Sequence, residues 1–134
     1  MVKPIVAIVG RPNVGKSTLM KIIAGTGSNS TSHTIQLSKQ AEETGVDGLL
    51  VVTPYYNKCT GDGLVAHYTA VAKATPLPII AYNVPGRTGV NMSADTTCRL
   101  ARDFDNIIAV KEASGKIDQI EQIIKNLKKN TKHI

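Results

Sequence analysis

Short apolar runs alternate with amphipathic stretches along most of the chain, and no other feature restricts its fold as tightly. The runs are PIVAIV at residues 4–9, GLLVVT at 48–53, PIIAY at 78–82 and IIAVK at 107–111. Each is too short for a helix and nearly continuous in branched apolar residues, which is how a strand shielded on both faces of a parallel sheet reads. Between the runs lie helical patterns. One spans Ser32 to Thr44 and is closed by Gly45; another spans Gly63 to Ala74 with Leu64, Tyr68, Val71 and Ala72 on one face. Ser93 caps a third reaching Phe104, and Ser114 precedes a fourth whose Ile117, Ile120, Ile124 and Leu127 form an apolar stripe. Such alternation means βα units around a parallel sheet.

We therefore expect a single α/β domain over residues 1–134, with four to five βα units in an open three-layer sandwich of the P-loop or flavodoxin type. Half of a (βα)8 barrel is the alternative, because right-handed crossovers serve both architectures. A curved half barrel would expose apolar strand edges, and a homodimer would be its remedy. The absence of Trp and the single Phe agree with a core of small branched side chains, and no linker or low-complexity segment divides the chain.

The net charge of +6 suggests nucleic acid at first, but Lys125, Lys128, Lys129 and Lys132 fall in the last ten residues, where there is no acid. Setting those four aside leaves +2. The basicity belongs to a tail, residues 123–134, and no basic stripe interleaved with aromatics accompanies it, so nucleic acid is not the expected partner. Cys59 and Cys98 are far apart and outside any CxxC, and His33, His67 and His133 are scattered. Free thiols and no structural metal follow. No stretch reaches the roughly twenty apolar residues of a membrane span, so a cytoplasmic protein is expected.

Two motifs carry chemistry. The first, Gly10-Arg11-Pro12-Asn13-Val14-Gly15-Lys16-Ser17, satisfies GxxxxGK[ST] between an apolar run and a helix pattern. In a loop of that kind, backbone N–H groups from Gly10 and from Asn13 to Thr18 turn onto phosphate oxygens, Lys16 reaches the terminal phosphates and Ser17 ligates magnesium. Residues 1–25, KPIVAIVGRPNVGKSTL with the AG that follows, resemble the start of the ribosome-assembly GTPase family called Der or EngA. A DTPG switch is absent. The base-reading NKxD is absent too, its nearest string being Gly115-Lys116-Ile117-Asp118. GTP or ATP binding without efficient hydrolysis is the expectation, with magnesium only alongside nucleotide and no other cofactor.

The second set of strings, IIAGTGSNST, GVDGLLVVTPYYNK, PIIAYNVPGRTGVNMS and NIIAVKEASG between residues 22 and 122, resembles dihydrodipicolinate synthase, a pyruvate-dependent class I aldolase built as a (βα)8 barrel. The resemblance implies that Lys111 forms a Schiff base with pyruvate and that Tyr82 relays protons. It further implies that Arg87 receives the carboxylate of an aldehyde substrate, and that Tyr56 is the tyrosine a neighbouring subunit inserts. The family's opening GTTGE string and its final three βα units have no counterpart, and a closed barrel takes roughly 250 residues.

The two resemblances meet at Ile22-Ile23-Ala24-Gly25, which continues a helix in the first family and forms a strand in the second. We take it as a helix from Lys16 to Ala24; a strand from Lys21 to Gly25 would leave the P-loop helix about one turn, too short to hold the loop firmly. On this reading the chain is an engineered or recombined chimera that binds phosphate or nucleotide. A pyruvate lyase and a folded chimera without ligand are the alternatives.

Overall fold

The computed structural model describes Ile8–Gly10 and residues 22–130. Within them a five-stranded sheet runs in the order β1-β5-β4-β3-β2. Strands β2 (Ile23–Gly25), β3 (Gly48–Val52), β4 (Ile79–Asn83) and β5 (Ile107–Glu112) are mutually parallel. β1 (Ile8–Gly10) joins the far edge antiparallel to β5, with Gly10 opposite Ala109.

Two expectations change at this point. Residues 22–24 are not the end of a helix: Ile23–Gly25 pair with Gly48–Leu50, and Asp47 N–H donates to Ile22 C=O at 2.9 Å. Hydrogen bonding to a strand 25 residues away outweighs local helical spacing. The described end of the first apolar run, Ile8–Gly10, is a strand, but an antiparallel edge strand rather than a parallel one. Continuous apolar sequence reports burial, not direction.

The helices are α1 (Thr31–Glu43), α2 (Gly61–Ala74), the short α3 (Pro85–Thr88), α4 (Ala94–Asp103) and α5 (Ile117–Asn130). Their starts follow from side-chain caps: Ser30, Thr60 and Ser93 accept from the N–H of His33, Gly63 and Thr96. Gly45 follows α1 with φ 78°, the left-handed geometry that glycine supplies without a Cβ clash. α5 buries Ile123, and Leu127 of the expected stripe packs beside it, with Ile120 and Ile124 half-buried; only Ile117, at the start of the stripe, lies open to solvent.

Strand residues of one parity, Leu49, Val51, Ile79, Ala81 and Val110, pack with Leu64, Tyr68, Val71 and Leu100 in the main core. Tyr68 is fully buried and its hydroxyl donates to Val51 C=O at 2.8 Å, pinning α2 to β3. Residues of the other parity, including the buried Ile80 and Ala109, lie outside that cluster. Among the described residues the helices thus cover one face of the sheet, α1 beside α2, α2 beside α4 and α4 beside α5. A three-layer sandwich would place helices on both faces, so that expectation is corrected. Four parallel strands with helices on one side form an arc of a (βα)8 barrel, the alternative arrangement. Among the described residues no helix is long and apolar enough to cross a membrane.

His67 joins α2 to the start of α1 through its Nδ1, 2.8 Å from Thr31 Oγ1, while its buried Nε2 has no partner among the described residues. Burial lowers its pKa from 6.5 to about 4. The unfolded chain takes up this proton as the pH falls through 6.5 and the folded chain resists until about 4, so stability is lost on acidification across that window. Urea titrations from pH 7 to pH 4 should show a decline to which His67 contributes up to about 3 kcal/mol. His67→Gln should flatten that part of the profile.

Candidate active site

In a parallel sheet the loops at the carboxyl ends of the strands gather on one rim, where ligand chemistry is built. Here that rim consists of the segments after β2, β3, β4 and β5. Ladder bonds run past the strand ends and tie the segments to one another: Thr26 N–H to Leu50 C=O at 3.1 Å, Thr53 N–H to Tyr82 C=O at 3.0 Å, and Ala113 N–H to Asn83 C=O at 2.8 Å.

Tyr82 and Lys111 face each other across β4 and β5. Their neighbours Ala81 and Val110 point into the helix-covered core, so by alternation these two side chains lie on the opposite face. The Lys111 ammonium sits 4.1 Å from the centroid of the Tyr82 ring, a cation–π contact, and both residues are half-buried. A β-bulge creates the pairing. Ile79 is opposite Ile107 but Ile80 is opposite Ala109, so Ile108 is an extra residue in β5. A regular continuation would have set Tyr82 against Val110 and turned Lys111 to the helix side.

The other residues implied by the resemblance share the rim without joining this pair. Arg87 is exposed on α3, and no ion pair engages it among the described residues. Tyr56 is 86 % exposed and holds a left-handed backbone with φ 73°, fixed by its N–H donating to Thr88 C=O at 3.0 Å. A tyrosine with positive φ is strained, so its ring is presented to solvent at a cost of roughly 1 kcal/mol or more.

Sequence reasoning missed the polar cluster behind the pair. Asn83 is fully buried, and its amide donates to both carboxylate oxygens of Glu112, at 3.0 and 3.1 Å. An asparagine closing the apolar run IIAY, and a glutamate directly after the candidate lysine, were the signals available.

Of the P-loop residues only Gly10 is described; Asn13, Val14, Gly15, Lys16, Ser17 and Thr18 lie outside the described residues, and with them the magnesium role of Ser17. The direction of β1 nevertheless bears on that expectation. Ile8 pairs with Lys111 and Gly10 with Ala109, so within β1 Gly10 is the residue farther from the rim. Among the described residues no group of three His, Cys, Asp or Glu could hold a metal ion.

The sequence model of the dihydrodipicolinate synthetase family matches residues 13–133, beginning inside the P-loop string. The chain belongs to that family. The 4-hydroxy-tetrahydrodipicolinate synthase of Phocaeicola vulgatus is 58 % identical over 105 residues, which is 78 % of this chain and 35 % of the relative. That of Geobacter sulfurreducens is 59 % identical over 103 residues, 77 % of this chain and 35 % of the relative. Among solved structures, dihydrodipicolinate synthase from Thermotoga maritima superposes with a TM-score of 0.78 at 50 % identity, covering 80 % of this chain and 36 % of that one. A chloride-inhibited dihydrodipicolinate synthase from Acinetobacter baumannii complexed with pyruvate gives 0.78 at 50 % identity, covering 83 % and 38 %. This member of the dihydrodipicolinate synthetase family therefore spans about a third of the length of the relatives it matches. The family match supports the second of the two resemblances over residues 13–133 and lends no support to a GTPase-type loop segment or a chimera.

The rim depends on close backbone approach at one glycine. A Cβ on Gly27 would collide with the Val52 backbone N–H and stand 2.7 Å from Val52 Cγ1, whereas a Cβ on Gly86 meets nothing within 4 Å. Gly27→Ala should lower stability by about 1–3 kcal/mol in urea denaturation. Gly86→Ala should leave it within about 0.5 kcal/mol of the parent.

Proposed function

We propose that this chain carries the Schiff-base part of a dihydrodipicolinate synthase-type active site and acts as a pyruvate lyase, not as a nucleotide-binding module. The observation that carries this reading is the placement of Lys111 over Tyr82 at the carboxyl rim, in a chain whose relatives are 4-hydroxy-tetrahydrodipicolinate synthases.

The chemistry follows from the residues. Neutral Lys111 Nζ adds to the C2 ketone of pyruvate, and loss of water gives the imine, whose iminium form draws electrons from C3. Loss of a C3 proton yields an enamine, the carbon nucleophile that attacks an aldehyde. Tyr82, an O–H that both donates and accepts, is placed to pass protons during addition and dehydration. Arg87 offers a planar fork suited to a carboxylate on the incoming aldehyde. No metal is needed, since the iminium itself is the electron sink.

The test is borohydride reduction in the presence of pyruvate, read by intact mass and peptide mapping. The chain should gain one reduced pyruvate adduct, located on Lys111, and Lys111→Ala should abolish it. Tyr82→Phe, which keeps the ring but loses the hydroxyl, should slow trapping by about 10- to 100-fold. Absence of an adduct, together with saturable binding of GTP, ATP or pyrophosphate that Lys16→Ala removes, would return the account to the P-loop.

A further inference from the structure

One residue beyond Tyr82 and Lys111, strands β4 and β5 place Asn83 opposite Glu112. By alternation this second pair lies on the helix-covered side of the sheet, back to back with the first. Glu112 is a point of convergence for donors. Besides the Asn83 amide, Ser114 N–H donates to its Oε1 at 2.9 Å and Gln119 Nε2 donates to its Oε2 at 3.1 Å. Asn83 reaches the other way as well, its Nδ2 donating to Asn91 Oδ1 at 3.0 Å and its Oδ1 accepting from Met92 N–H at 2.9 Å. Gln119 closes the ring by donating to Met92 C=O at 3.1 Å and accepting from Asn91 Nδ2 at 2.8 Å. Four parts of the chain are joined: the end of β4, the segment before α4, the end of β5 and the first turn of α5.

The polarity of this cluster is specific. Three donors point at residue 112, and only a carboxylate offers two oxygens that both accept. The cluster also sits where it matters mechanically. The bulge at Ile108 offsets the register of β5 by one residue, and an offset of one decides which face Lys111 occupies. Beyond the bulge Asn83–Glu112 is the last pair of the ladder, so it fixes the register on the side where the lysine lies.

We propose that Asn83, Glu112 and Gln119 form a positioning network that holds Lys111 over Tyr82. The proposal rests on the reading of Lys111 as the Schiff-base lysine. None of the three touches the reacting atoms; they act through the strand ends. Glu112→Gln replaces one accepting oxygen by an NH2 group that confronts donors, and Asn83→Asp sets a carboxylate against a carboxylate. Combining the two restores a donor facing an acceptor with the sense reversed.

Two readouts test this on the full chain. The first is the rate of borohydride trapping with pyruvate. The second needs no pyruvate: the Tyr82 ring should shift the Lys111 ε-methylene protons upfield in a 1H–13C correlation spectrum. Glu112→Gln and Asn83→Asp should each slow trapping at least tenfold and erase the upfield shift, and the double variant should recover most of both. Gln119→Ala, which removes one arm from a half-buried position, should show the same effects in part and covers the case in which a single variant does not fold. Tyr68→Phe loosens the core elsewhere and should leave the Lys111 shift in place. Folded single variants with an unchanged shift would overturn the proposal, and so would loss of the shift in Tyr68→Phe. If the parent chain forms no adduct, the Schiff-base reading fails, while the methylene shift still decides whether the network positions Lys111.

Discussion

The pairing of β4 with β5 is the constraint on which the rest of this structure depends. Both strands are short and buried, and their sequences alone would allow them to align regularly from Ile79 and Ile107 onward. They do not. The extra residue at Ile108 reverses the facing of everything after it, moving Val110 into the helix-covered core and Lys111 to the opposite face beside Tyr82. A bulge costs a local break in the ladder. Here the cost is offset by a core position for Val110 and by the hydrogen-bonded ring around Glu112 immediately beyond.

The rim is built from rigid connections rather than from free loops. Asn57 Nδ2 donates to Asn29 C=O at 2.9 Å, linking the segments after β3 and β2, and Tyr56 N–H reaches Thr88 C=O, linking β3 to α3. Thr26, Ser28, Thr34 and Ser38 satisfy one another beneath the first of these. With the segments so fixed, strain can persist where it is found, at Tyr56 and Lys58, both with positive φ.

Much of the architecture was legible in the sequence. The runs at residues 48–53, 78–82 and 107–111 are strands within a residue, and Ser93 and Gly45 stand where a cap and a stop were expected. Those signals are local, and local physics wrote them. What stayed hidden is nonlocal. Nothing in PIVAIV distinguishes a parallel from an antiparallel strand, and nothing in IIAG reveals that its backbone bonds to residues 48–50. The two-layer arc could not be separated from the three-layer sandwich, because a run buried under helices on both faces and one buried inside a barrel wall read alike.

The site divides in the same way. The strings TPYYNK, YNVPGR and KEASG carried Tyr56, Tyr82, Arg87 and Lys111, and the family they pointed to is the one the chain belongs to. The bulge and the Asn83–Glu112 bond that place the lysine come from three-dimensional register and left only faint marks. The phosphate-loop motif made the strongest short-range signal, yet the family match begins inside it. Register is therefore the quantity to measure. Cross-strand nuclear Overhauser contacts between backbone protons of β4 and β5 should set Tyr82 opposite Lys111 with Ile108 outside the ladder. Contacts that set Tyr82 opposite Val110 would contradict the account.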